Sequence, residues 1–236
     1  MKRLLYTYLY LGVAMLVLTS CQTRMDIQGT TSIPELEDRM LYLRIYKDGD
    51  LAVIDSARII HGKFHFTGEA QESTVMASLF LGDESIMPVV IEGDRPLYIT
   101  LDENEHCVKG SELNDSLFSF IKRKMAIDQQ LAEMPHRESQ MILEGQNHDD
   151  ILLQLNQEAD ILGAQEEKLV LGFIKANMDN VLGPGVFMIV TSGFPYPILD
   201  PKLEELVTLA SPQFLADPYV QEYIRLAREN MEKMNE

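Results

Sequence analysis

Cys21 is the residue whose setting most narrowly fixes a chemistry. It follows Leu18-Thr19-Ser20 at the end of an apolar run, 4–18, that opens behind Lys2 and Arg3. A basic start, a short apolar stretch and small residues before a cysteine form the pattern of an export signal cleaved ahead of a thiol that is then acylated. The run is too short for a comfortable membrane span. Residues 1–20 are therefore expected to be a lipoprotein signal peptide, Cys21 the lipid attachment residue, and 21–31 a polar tether. Loss of Lys2 and Arg3 with the signal moves the formal net charge from -17 to -19. So acidic a chain lacks the clustered cations that nucleic acid or an anionic leaflet demands, which leaves anchoring to the lipid.

The other candidate groups are dispersed. Cys107 is the only other cysteine; with Cys21 acylated it has no disulfide partner, and a cysteine near a strand reads as a small buried hydrophobe. No flanking motif activates its thiol. The five histidines, His61, His65, His106, His136 and His148, form no His-Glu-x-x-His and join no cysteine cluster, so no metal site is expected. The paired carboxylates Asp149-Asp150, Glu166-Glu167 and Glu204-Glu205 are sequence neighbours. On a helix such neighbours diverge by about 100°, whereas an acid/base pair must converge. Gly-x-Ser-x-Gly is missing, and Gly183-Pro184-Gly185 lacks the lysine of a phosphate loop. The 13 methionines are scattered rather than grouped for copper. No catalytic residue and no cofactor is expected.

Two kinds of element must carry these residues. From 40 to 101 short β-rich runs alternate with turn signals: 40–46, 51–60, 63–67, 74–81, 87–91 and 96–101, separated by Lys47-Asp48-Gly49-Asp50, His61-Gly62, Gly82-Asp83-Glu84 and Glu92-Gly93-Asp94. The runs around His61-Gly62 predict a tight hairpin with Phe64 and Phe66 on the core face. From 111 the period becomes helical. One stripe runs through Leu117, Phe120, Ile127, Leu131 and Met134 and is expected to end near Pro135; a second helix spans about 149–177. Gly183-Pro184-Gly185 reads as a break before a buried short helix at 186–190, and Pro195-Tyr196-Pro197 as a rigid loop. Pro201, and Asp217 with Pro218, open two more helices. The fold class is thus α+β: an N-terminal antiparallel β-sandwich or small barrel over 32–110, then an all-α helical domain over 111–236.

The run from Asp55-Ser56 through Gly62, Phe64 and Phe66 to Gly68 resembles the paired-strand signature of domain of unknown function 4369. Pro88-Val89-Val90-Ile91-Glu92-Gly93-Asp94 is similar to its next signature, and Gly110-Ser111-Glu112-Leu113-Asn114-Asp115 to its closing one. The likeness covers about 26–125. In proteins of this type, typically exported Bacteroidetes lipoproteins, the β domain and a helical linker precede a thioredoxin-like disulfide reductase domain. The 236 residues contain no tryptophan and no Cys-x-x-Cys, so disulfide exchange, which needs an attacking and a resolving thiol, is not carried over. Asp55-Ser56-Ala57 and Asp115-Ser116-Leu117 also resemble the Asp-Ser-apolar O-glycosylation motif of such proteins, which makes Ser56 and Ser116 candidate glycosylation sites. After Cys21, Gln22-Thr23-Arg24-Met25-Asp26 lacks the acidic run that resembles a surface-export signal, so the periplasm-facing side of the outer membrane is expected.

These residues together predict a non-enzymatic, lipid-anchored envelope protein that serves as an interaction or scaffold module, partnering a separate thioredoxin-like protein. The alternative is a lipoprotein that binds a glycan or peptide between the β and α halves, beside the 195–197 loop.

Overall fold

A computed structural model describes residues 24–69, 73–103 and 106–234. The sequence-predicted signal peptide and Cys21 lie outside the described residues. The eight strands are β1 Ile27–Thr31, β2 Met40–Lys47, β3 Asp50–Arg58, β4 Lys63–Phe66, β5 Thr74–Leu81, β6 Glu84–Glu92, β7 Leu97–Leu101 and β8 His106–Lys109. Six helices follow: α1 Glu112–Leu143, α2 His148–Ala176, α3 Leu182–Thr191, α4 Pro201–Thr208, α5 Pro212–Leu215 and α6 Pro218–Met234. The class is α+β, with the strands first and the helices after.

The strands form two four-stranded sheets, ordered β4-β1-β7-β8 and β3-β2-β5-β6. Alternation decides which side chains meet between them: Leu41 and Leu43, Ala77 and Leu79, Val89 and Ile91, and Leu97, Ile99 and Leu101 all enter one buried cluster with Ile27, Phe64 and Phe66. Three sequence expectations are corrected here. The tether expected over 21–31 is overturned at its end, because Ile27–Thr31 forms β1 in the middle of a sheet, parallel to β7 and antiparallel to β4. That parallel pair also makes the first sheet mixed rather than purely antiparallel. The hairpin at His61-Gly62 is a two-residue turn, with Ile60 and Lys63 exchanging backbone hydrogen bonds at 2.8 and 3.1 Å. Beyond that single bridge its arms part, β3 to one sheet and β4 to the other.

The helical half packs on the outer face of the second sheet. Val90 of β6 belongs to its buried cluster, with Leu117, Phe120, Val186, Phe187 and Phe214. A Cβ on Gly185 would stand 2.3 Å from Met76 Cε, so any larger residue there would force the Met76 side chain to move. Tyr219, at the start of α6, meets the ring of Tyr46 edge-on at 5.0 Å. Gly183-Pro184-Gly185 lies inside the first turn of α3 instead of breaking the chain before it. A first-turn proline costs little, since its missing N–H has no intrahelical acceptor.

The two long helices depart from this body. α1 was expected to end near Pro135 but runs on to Leu143 with Pro135 inside it. A proline there removes a helical hydrogen bond and crowds the preceding turn, and the facing helix compensates. Two residues later Arg137 makes a two-pronged contact with Glu158 of α2, at 2.6 and 2.8 Å. Nearer the body Lys124 bridges Asp128 and Glu166, at 2.9 and 2.8 Å. From Lys124 to Leu143 the pair extends about 30 Å at 1.5 Å per residue. Its buried residues Ile151, Leu155 and Leu162 belong to neither buried cluster of the body. It is a two-helix arm.

Candidate functional site

The signature residues of the β half hold the fold together. The Asp55 carboxylate accepts from the backbone N–H groups of Thr67 and Gly68, at 2.9 and 2.7 Å, and of Ser56, at 2.8 Å. It thereby fastens the end of β4 to β3 across the gap between the sheets. A Cβ on Gly68 would come within 3.0 Å of that side chain. Gly62, with φ +67°, and His61, with φ 52°, form the left-handed turn. Both their N–H groups donate to Glu37, at 3.0 and 2.7 Å, and these two bonds hold the Glu37 carboxyl below the ordinary range. Asn114 is fully buried; its side chain accepts from Val90 N–H at 2.9 Å and donates to Val90 C=O at 2.8 Å. Ser111 caps the same helix by accepting from Asn114 N–H at 3.3 Å.

The candidate chemical groups stay apart. His65 is 2.8 Å from Asp26, His136 is 3.1 Å from Gln140 and His148 is 3.5 Å from Glu138. His61 sits in its turn, and His106 and Cys107 are consecutive on β8, paired with Leu101 and Thr100. Among the described residues no three of His, Cys, Asp and Glu are grouped to hold a metal ion. Asp149 and Asp150 receive their helix cap from Asn147. Glu166 pairs with Lys124, Glu167 with Lys202 and Glu205 with Lys175, so the Glu166–Glu167 doublet diverges. Burial alone would lower the Lys124 pKa; its contacts with Glu166 and Asp128 outweigh that and raise it. Ser56, on the edge strand β3, and Ser116, in the first turn of α1, are both exposed.

The junction between the halves, where a ligand cleft was one expectation, is filled by Met76, Gly185, Tyr46 and Tyr219. Tyr196 is 48% exposed, while the neighbouring loop is tied down by Tyr223, whose hydroxyl bonds both Ile198 N–H and C=O. A pocket of about 260 Å³ does exist, within the helical half between α2, α3 and the start of α4. Phe187, Ile174 and Leu203 line its apolar part, and the Glu167–Lys202 ion pair stands at its rim. Thr191 is the hydroxyl in its lining; it donates to Phe187 C=O at 2.7 Å and lies 3.0 Å from the Tyr219 hydroxyl. Such a pocket can hold a small apolar group but offers no activated nucleophile. Reading the sequence missed it, because its walls come from three helices whose crossing no local pattern records.

A group of exposed apolar residues lies elsewhere, at the far end of the arm. Leu143 is 87% exposed, Leu153 59%, Ile142 47% and Leu152 37%. The signal for them was present in the sequence as apolar residues on both sides of the Gly145 turn, but only the antiparallel pairing of α1 and α2 places them at one tip.

Comparison with known proteins bears on the β half. Residues 25–117 match the family described as "Domain of unknown function (DUF4369)", whereas no curated protein and no solved structure matches the chain. Asp55, Gly62, Gly68 and Asn114 all fall within the matched span, so the likeness to DUF4369 rests on the β domain.

Proposed function

We propose that this chain is a non-enzymatic, lipid-tethered protein of the bacterial cell envelope that acts as an interaction or scaffold module, with a separately encoded thioredoxin-like protein as its partner. The arm carries this reading: about 30 Å of paired helix standing off a packed body and ending in exposed apolar side chains. Apolar side chains grouped at one exposed end mark a surface that a partner can use. The motif at Cys21 supports the tether, and the lack of Cys-x-x-Cys in the chain supports a partner that brings its own thiols. The experiment is affinity capture of the full chain from its native host, run beside the Cys21→Ser variant. Expected are lipid labelling and membrane fractionation for the first alone, and co-purification of a thioredoxin-like protein. Recovery of a tightly bound small molecule with no protein would defeat this reading.

The 260 Å³ pocket favours ligand binding as a second reading, but on a reduced scale. Its volume lies below the roughly 300–1,000 Å³ of ordinary small-molecule sites, which suits one side chain or a small fragment better than a glycan. Saturation-transfer NMR with short apolar peptides tests it; a signal confined to surface residues away from Phe187 rejects it.

A further inference from the structure

We infer that the tip of the arm is a docking knob for a protein groove with an apolar floor and a Lys/Arg rim, an inference that rests on the interaction-module reading above. Ile142, Leu143, Leu152 and Leu153 are exposed at the tip, and the charge around them has one sign. From 138 to 157, the stretch that forms the tip, the chain has no lysine or arginine but four carboxylates. Three of these, Glu144, Asp149 and Asp150, are exposed in or beside the turn itself. An apolar knob ringed by negative charge selects its occupant by complementarity: the leucines enter an apolar floor while the carboxylates meet cations at the rim. A second copy would bring the same carboxylates together, and an anionic bilayer would repel them. The knob is held in place by the arm's own ion pairs, Arg137 with Glu158 and Lys124 with Glu166. It therefore meets its groove already ordered, which lowers the entropic cost of docking. A contact of four apolar side chains is the size of a reversible encounter.

The test uses the full chain in its native host, with a benzophenone amino acid placed at position 143 and, as a control, at the exposed shaft position 129. Irradiation is expected to join a protein to position 143 and not to 129. The joined segment of that protein is expected to contain Lys or Arg beside apolar residues. Either Leu153→Ser or the triple reversal Glu144→Lys, Asp149→Lys, Asp150→Lys should cut the adduct about tenfold or more. These positions are exposed, and an unchanged thermal melt shows that the variants are folded. Adducts to lipid, to a second copy or to nothing overturn the knob, as does an adduct indifferent to charge reversal. Where the tagged chain still co-purifies a protein without an adduct at 143, the knob falls and the module reading stands. Where neither method yields a protein, both fall.

Discussion

Asn114 shows how one side chain can do the work of a strand. β6 is an outer strand of its sheet, and the amide of Asn114 supplies Val90 with both a donor and an acceptor, as a neighbouring backbone would. Replacement with alanine leaves Val90 N–H and C=O buried without partners, at about 1–3 kcal/mol for each unsatisfied group. Urea unfolding of Asn114→Ala should show a loss of about 2–4 kcal/mol; a change within 0.5 kcal/mol would mean that the side chain merely fills space. Glu37 makes a prediction in pH. Its folded pKa is lowered by the N–H groups of His61 and Gly62. The stability it contributes is therefore fully present above the unfolded-state value, near 4.3, and is lost as pH falls through the lower folded value. An NMR titration of the Glu37 carboxyl should give a midpoint below the ordinary value, with the His61 and Gly62 amide shifts following it. A midpoint at or above that value would show the turn clamp to be loose in solution, and Glu37→Gln should remove the coupled amide shifts.

At the scale of elements, alternation and turn chemistry made β2 to β7 legible, because each presents branched or aromatic residues at period two toward one core. β1 was hidden. Its sequence, Ile27-Gln28-Gly29-Thr30-Thr31, reads as polar linker, yet Gly29 is there because a Cβ would lie 2.1 Å from the Phe64 ring. The requirement comes from a strand more than thirty residues away. β8 was hidden by its brevity, four residues with Val108 as the only one fully buried. The helix error at Pro135 has the opposite cause: local chemistry gave the right penalty, and pairing along the whole of α2, with the Arg137–Glu158 contact as one part, overrode it. The candidate sites divide the same way. The sequence exposed Ser56 and Ser116 as motifs, while the pocket and the knob depend on how helices are placed. The proline penalty should be recoverable. Pro135→Ala restores a backbone donor in mid-helix and should stabilise the arm by about 1–3 kcal/mol. Hydrogen exchange should report this as slower exchange of the amides from 135 to 141, with the strands unchanged. Unaltered exchange in that segment would mean that the helix is interrupted at Pro135 in solution.

At the scale of the whole molecule, growth is hindered at both edges of the second sheet and contact is offered at one distant point. Asn114 occupies the edge of β6. On β3, at the opposite edge, the N–H groups of Leu51 and Ser56 donate to the carboxylates of Asp50 and Asp55, at 2.7 and 2.8 Å. Both devices withhold the backbone groups that another strand would pair with. The second sheet thus resists edge-to-edge association, while the arm carries an exposed apolar tip outward. This division implies that body and arm are energetically separable. The body has two buried clusters, one between the sheets and one joining β6 to the helices, and neither includes Ile151, Leu155 or Leu162 of the arm. Replacing residues 125–165 with a short Gly-Ser turn removes the arm beyond Lys124 and keeps Leu117, Phe120, Val170 and Ile174, which anchor its base in the body. The shortened chain should fold cooperatively, with a melting temperature within a few degrees of the parent, because local units with few shared buried contacts unfold independently. Its helical circular-dichroism signal should fall in proportion to the residues removed. Partner capture should be lost while lipid labelling at Cys21 persists. A shortened chain that melts without cooperativity would show that the arm is part of the core rather than a structure mounted on it.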